Sequence, residues 1–170
     1  PSYRGHITNT ASMAGLLTAP NMGIYNAAKA AVVSLTETLY HDLNLVTDQI
    51  GASLLCPYFV PTGITSSERN RQDAPQAAQL TKSQIIGQAM SNKAVSSGKI
   101  TAGEIAHRVF DAISANQFYV FSHPKALGNV QSRMENIVSV TNPADPFAAR
   151  PEIGEALRAQ LPIASRWKQS

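Results

Sequence analysis

Apolar residues fall at Ile24, Ala28, Ala31, Val32, Leu35, Leu39 and Leu43, in steps of three and four that line one face of a helix running to about Val46. Ahead of it, Gly5 to Ser12 is short, rich in β-branched residues and followed by Gly15, Pro20 and Gly23, the pattern of a strand and then a loop. Gly51 reads as the stop of the helix. Beyond it, Ala52-Ser53-Leu54-Leu55-Cys56 is nearly continuous in apolar character, as a strand buried on both faces of a parallel sheet should be, and Pro57 ends it. Strand, long helix and strand within about fifty residues predict a right-handed βαβ crossover.

From Thr62 to Gly98 the chain turns polar, with Ser66 to Asp73 almost wholly so and only a weak helical pattern at Leu80, Ile85, Ile86 and Met90. A long polar excursion directly after a strand end reads as a functional lid over about 62–98, and Ile64, Leu80, Ile85, Ile86 and Met90 are its candidates for lining a pocket. Thr101-Ala-Gly-Glu104 has the spacing of a capping box and opens a helix to about Ala115, with Ile105, Val109, Phe110 and Ile113 inward. Phe118 to Phe121 reads as a third strand, and His123-Pro124 opens a further helix carrying Val130, Met134, Ile137 and Val138. Residues 1–141 are then one folded unit and 142–170 a Pro-rich tail.

Length and composition agree with a packed domain. A chain of 170 residues is long enough to bury roughly 70% of the surface its unfolded form exposes. The apolar share of 44% excludes disorder, while the charged share of 15% lies below the usual level of about 25% and implies that some surface is covered by a partner. The net charge of +3 is scattered; with Arg69 and Arg71 the closest basic pair in mid-chain, the clustered basic face of a nucleic-acid binder is missing. No run approaches the ~18 apolar residues of a membrane-spanning helix. Cys56 is the single cysteine, which suits a reducing, cytoplasmic setting, and a buried inert thiol is expected there. The four histidines, His6, His41, His107 and His123, show no metal-ligand spacing, so no metal is expected. Asn9, inside the first strand, reads as a structural hydrogen-bonding group.

Tyr25 and Lys29 are four apart in the first turns of the long helix and share a face. With five tyrosines and six lysines, such a spacing arises by chance in roughly one sequence of this kind in five. Ser12, thirteen positions before Tyr25 at the close of a strand, lowers that chance about tenfold, and the next strand runs out through Pro57-Tyr58-Phe59-Val60-Pro61-Thr62.

Together these residues resemble the short-chain dehydrogenase/reductase family, in which a strand ending in Ser leads to a helix bearing Tyr-x-x-x-Lys and the following strand ends in Pro-Gly-x-Val-x-Thr. The likeness is specific from about Gly5 to Thr62 and extends in layout to Phe121. It implies an α/β fold, the carboxyl-terminal part of a Rossmann-type doubly wound parallel sheet with its first four strands missing. It also implies an oxidoreductase that uses NAD or NADP to interconvert a carbonyl and a secondary alcohol. By the resemblance Ser12, Tyr25 and Lys29 are catalytic. Tyr25, Lys29, Pro57, Tyr58, Val60 and Thr62 face the cofactor, with Val60 and Thr62 at the carboxamide, and Ser12, Met13 and Tyr58 face the substrate. The chemistry suits the residue types. A free phenol ionises near pH 10, and an ammonium one helical turn away, together with the positive end of the helix dipole, favours its phenolate. Tyr58 departs from the family's Gly and places a ring beside the cofactor or substrate.

No Gly-x-x-x-Gly-x-Gly or Gly-x-Gly-x-x-Gly turn occurs, so the family's pyrophosphate grip and the residue that selects NAD or NADP are not in this sequence. The expectation is a carboxyl-terminal fragment, inactive in isolation, of an enzyme that assembles as a homodimer or homotetramer, with Ala27, Ala30, Ala31 and Ser34 allowing close helix approach. A non-catalytic family descendant acting in subunit association is the alternative.

Overall fold

The computed structural model describes residues 4–64, 66 and 81–160. Its centre is a three-stranded parallel sheet in the order β1 (Gly5–Thr10), β2 (Ile50–Cys56), β3 (Tyr119–Phe121). Gly5 pairs with Ile50 and Thr10 with Leu55; Leu54 pairs with Tyr119 and Cys56 with Phe121. The α/β class is as the sequence predicts.

Helix α1 (Gly23–Val46) joins β1 to β2. It lies on the sheet face formed by Leu54 and Cys56, which pack with Ala11, Met13 and Val33. Alternation sends Leu55 to the other face, where it meets Val60, Ala112, Val120 and Ile105. The last of these belongs to α3 (Ala102–Ser114). β2 is thus covered on both faces, which explains its unbroken apolar run. Beyond β3, a 3-10 turn (Pro124–Ala126) leads into α4 (Leu127–Val138), whose Leu127 and Val130 join the α1 side of the core.

Several expectations are corrected. Gly51 does not stop the long helix: α1 ends at Val46, where Thr47 takes an extended conformation, and Gly51 is the second residue of β2. A Cβ there would collide with Asn116 Oδ1 and His6 Nδ1, so glycine serves close approach of neighbours. The periodic stripe of α1 is split between inside and outside, with Val32, Leu39 and Leu43 half-buried, Val32 against the core. Ile24 is 89% and Leu35 64% exposed, whereas Val33 and Thr36 are buried. The helix has two apolar faces, and the one holding Val33 and Thr36 meets the sheet. Phe110, expected inward on α3, is exposed, and Ala112 takes the buried position. Met134, Ile137 and Val138 of α4 are also exposed.

Thr36 makes a polar latch in this interface. Its hydroxyl donates to Val32 O at 2.6 Å and accepts from Asn9 Nδ2 at 3.1 Å, so Asn9 has the structural role read for it. Tyr119 of β3 adds a second tie to the helix, its hydroxyl donating to Glu37 Oε1 at 2.7 Å.

Within the polar segment after Thr62 lies α2 (Lys82–Ser96), capped by a reciprocal Thr81–Gln84 box and without a buried residue. Ile64, Ile85 and Met90 are exposed and Ile86 is half-buried; the remainder of the expected lid, 65 and 67–80 with Leu80, lies outside the described residues. Thr101 and Glu104 form the expected capping box, the Thr101 amide donating to Glu104 Oε2 at 2.7 Å and the Glu104 amide to Thr101 Oγ1 at 3.2 Å. The segment read as a Pro-rich tail contains α5 (Pro151–Gln160), with Gly154 seated against the Phe147 ring; 161–170 lie outside the described residues. No described helix is long and apolar enough to cross a membrane.

Candidate active site

The site forms where the strands end. β1 stops at Thr10, and Ser12 caps the 3-10 turn Met13–Gly15 from an extended conformation. Its Oγ accepts from the Ala14 amide at 3.1 Å and its hydroxyl donates to Pro57 O at 3.4 Å. The Met13 amide donates to the same carbonyl at 2.9 Å. The turn after β1 is thereby stitched to the residue that ends β2. Met13 itself is fully buried beneath the site, where it packs the core and offers no surface to a ligand.

Tyr25 stands in the first turn of α1 and is half-buried. Lys29 Nζ lies 5.8 Å from the Tyr25 ring centroid and donates to Thr10 O at 3.2 Å. One ammonium therefore ties the helix to the end of the strand that leads into Ser12 while standing beside the phenol. Gly15 makes this possible, because a Cβ at that position would sit 2.7 Å from Lys29 O and 2.9 Å from Val33 Cγ2. Ser12, Tyr25 and Lys29 are drawn to the carboxyl end of β1, where open parallel sheets receive their ligands. A nicotinamide ribose fits the donors present. Lys29 uses one of its three N–H groups on Thr10, and among the described residues the Tyr25 hydroxyl makes no hydrogen bond.

The segment after β2 borders the same end of the sheet. Pro57 and Tyr58 are half-buried, Val60 turns its side chain into the core with Leu55 and Ile105, and Thr62 is exposed, its Oγ1 accepting from the Ile64 amide at 3.4 Å. For Val60, only the backbone remains to meet a ligand. The Tyr58 ring packs on Phe59 with centroids 4.0 Å apart and meets His123 edge-on at 5.8 Å; burial raises its phenol above the ordinary value. Cys56, beneath, is buried, and burial pushes its thiol up to about 11.

Residues without a local sequence signal complete the frame. Ser122, wholly buried just past β3, accepts the Tyr58 amide at 2.8 Å. Arg108 of α3 donates to the carbonyls of Ser122 and Phe121 at 2.7 and 3.2 Å. Ser122 is 64 residues from Tyr58, a separation that only the strand order bridges. Surface shape is a poor guide here: a groove of about 500 Å³ beside Leu17, Asn26 and Arg133 and another of about 630 Å³ at the amino ends of β1 and β2 are lined by none of Ser12, Tyr25 and Lys29.

Comparison with known proteins finds relatives of one family. Residues 2–73 match the profile of the short chain dehydrogenases. A CLA biosynthesis dehydrogenase/reductase of Lactiplantibacillus plantarum is 32% identical over 137 residues, 78% of this chain and 48% of the relative. Human retinol dehydrogenase 10 is 36% identical over 88 residues, 51% of this chain and 26% of its own length. Among solved structures, a short chain dehydrogenase/reductase from Burkholderia phymatum in complex with NAD is 51% identical with a TM-score of 0.83, covering 86% of this chain and 53% of that one. The chain thus spans about half the length of these last structural and bacterial relatives. With the parallel sheet, the Ser12–Tyr25–Lys29 grouping and these matches in place, the chain belongs to the short-chain dehydrogenase/reductase family.

Proposed function

We propose that the chain carries the proton-transfer side of a nicotinamide-dependent oxidoreductase interconverting a carbonyl and a secondary alcohol. The observation that carries the reading is Lys29, which stands one turn from Tyr25 and is bonded to the end of the strand leading into Ser12. When bound, NAD or NADP supplies or accepts the hydride. The chain's own residues handle the rest. In oxidation Tyr25 accepts the alcohol proton at its phenolic oxygen, and in reduction it returns that proton to the carbonyl oxygen. Ser12 turns its hydroxyl from Pro57 O to the substrate oxygen and holds it as negative charge develops. Lys29 stabilises negative charge beside it and presents its remaining N–H groups to the nicotinamide ribose. Pro57, Tyr58, the Val60 backbone and Thr62 border the nicotinamide, and the Tyr58 ring flanks the substrate.

The NAD complex of the Burkholderia phymatum relative supports a nicotinamide cofactor. Since the chain spans about half of its relatives, we assign turnover to a chain of their length and expect the 170 residues alone to show no saturable NADH binding. A cytoplasmic location goes with the reading. The exposed apolar face of α1, with Ile24 and Leu35, favours a homodimer or homotetramer. The test is Tyr25→Phe in the chain of full relative length, assayed against a panel of ketones and alcohols with both cofactors. Turnover should fall by about 10²–10⁴; unchanged turnover refutes the assignment and leaves the subunit-association reading.

A further inference from the structure

The Pro57–Tyr58 peptide unit is gripped at both ends. Its carbonyl accepts from the Met13 amide at 2.9 Å and the Ser12 hydroxyl at 3.4 Å, while its N–H donates to Ser122 Oγ at 2.8 Å. A peptide unit is planar, so the group that fixes the direction of the N–H also fixes the direction of the carbonyl.

Ser122 is built to do this. It is wholly buried, and the Arg108 guanidinium donates to its carbonyl at 2.7 Å. His123 Nδ1 lies 2.8 Å from Ser122 Oγ. A serine hydroxyl has one proton to give. In the arrangement that satisfies all three groups, Ser122 gives that proton to His123 Nδ1 and keeps a lone pair directed at the Tyr58 amide.

We infer that Ser122 is a positioning residue, aiming the Ser12 hydroxyl through the Pro57–Tyr58 peptide. The inference rests on the role proposed for Ser12. At 3.4 Å the Ser12–Pro57 bond is long and weak, so the hydroxyl exchanges readily to a substrate oxygen while the Ala14 amide steadies Oγ from the other side at 3.1 Å. Without Ser122 the Tyr58 amide loses its partner, the peptide plane is held at its carbonyl end alone, and Ser12 loses part of its reference direction.

The test is a double-mutant cycle in the enzyme of full relative length. Ser122→Ala should lower kcat about tenfold, within the ~10²-fold that a 1 Å misplacement can cause, with substrate KM changed by less than about threefold. In a Ser12→Ala background the same substitution should change kcat by less than about twofold, because the two act as one unit. Amide hydrogen exchange at Tyr58, read without cofactor, should quicken in Ser122→Ala. Should that variant not fold, Ser122→Cys, a poorer acceptor, gives the same comparison. Equal losses in both backgrounds, or an unchanged kcat, overturn the inference. An inactive Tyr25→Phe enzyme with additive Ser12 and Ser122 effects defeats only this inference, whereas an active Tyr25→Phe enzyme defeats the proposed function itself.

Discussion

Replacing Gly15 with alanine is the sharpest probe of how the helix and the Ser12 turn are fitted together. No glycine among the described residues has a positive φ, so Gly15→Ala tests contact alone, with no backbone strain added. The new Cβ would lie 2.7 Å from Lys29 O, 2.8 Å from Lys29 C and 2.9 Å from Val33 Cγ2. Ordinary contact begins near 3.4 Å, so α1 must retreat by about 0.7 Å or the turn must deform by as much. The atoms struck first belong to the backbone of Lys29, whose side chain holds the end of β1. Overpacking of this kind costs about 2 kcal/mol, within a usual span of about 1–3. For an enzyme of full relative length that lowers Tm by about 4 °C. A displacement near 1 Å in a positioned group reaches up to about 10² in rate, so kcat should drop at least about tenfold. The assay pairs thermal melting by circular dichroism with steady-state turnover, both in the enzyme of full relative length. Gly23→Ala serves as the control, since a Cβ there meets nothing within 4 Å. If Gly15→Ala melts and turns over like the parent, the close packing of turn against helix is not what sets Lys29, and the reasoning fails.

Two further outcomes follow from the buried and hydrogen-bonded groups. Cys56, with its thiol pushed up to about 11 by burial, should resist iodoacetamide at pH 8 in the native protein and react after unfolding in guanidinium; rapid native labelling would contradict its placement. Tyr119 is pushed up to about 12 from an ordinary value near 10, by burial first and then by its bond to the Glu37 carboxylate. Its neutral form is the one the fold favours, so its contribution is intact below about pH 10 and is lost as pH rises toward 12, because the unfolded chain ionises first. Tyr119→Phe should therefore flatten the fall in stability across that window without abolishing it, since Tyr58 is shifted in the same direction. Denaturant midpoints measured from pH 9 to 12 decide this, and identical slopes for the two proteins would argue against it.

Much of the fold was legible because its signals are local. β2 announces itself by apolar residues on both faces, α3 by the Thr101–Glu104 box, and the Tyr25–Lys29 pair by a spacing that one helical turn imposes. The Thr81–Gln84 box went unread, because the polar stretch around it carries only a weak helical pattern and α2 buries nothing. What the sequence left open depends on distant neighbours. Gly51 looks like a helix stop until Asn116 and His6 are seen crowding it. Ser122 has no motif, and its bond to Tyr58 exists because β3 lies next to β2. Met13 follows the serine as a substrate contact would, but the 3-10 turn rotates its side chain into the core.

The latch between Asn9 and Thr36 has a consequence for the rotational register of α1. A helix with two apolar faces can lie on a sheet in two ways that bury comparable hydrocarbon, and dispersion forces alone discriminate poorly between them. Turning the outer face inward would leave the Asn9 amide facing Ile24, Ala28 or Leu35, with its N–H groups buried and unanswered. The contact at 3.1 Å thus acts with the Lys29–Thr10 and Tyr119–Glu37 ties to select one rotation out of two. Together they decide that Tyr25 and Lys29 look along the strand ends and that Ile24 and Leu35 look away from them.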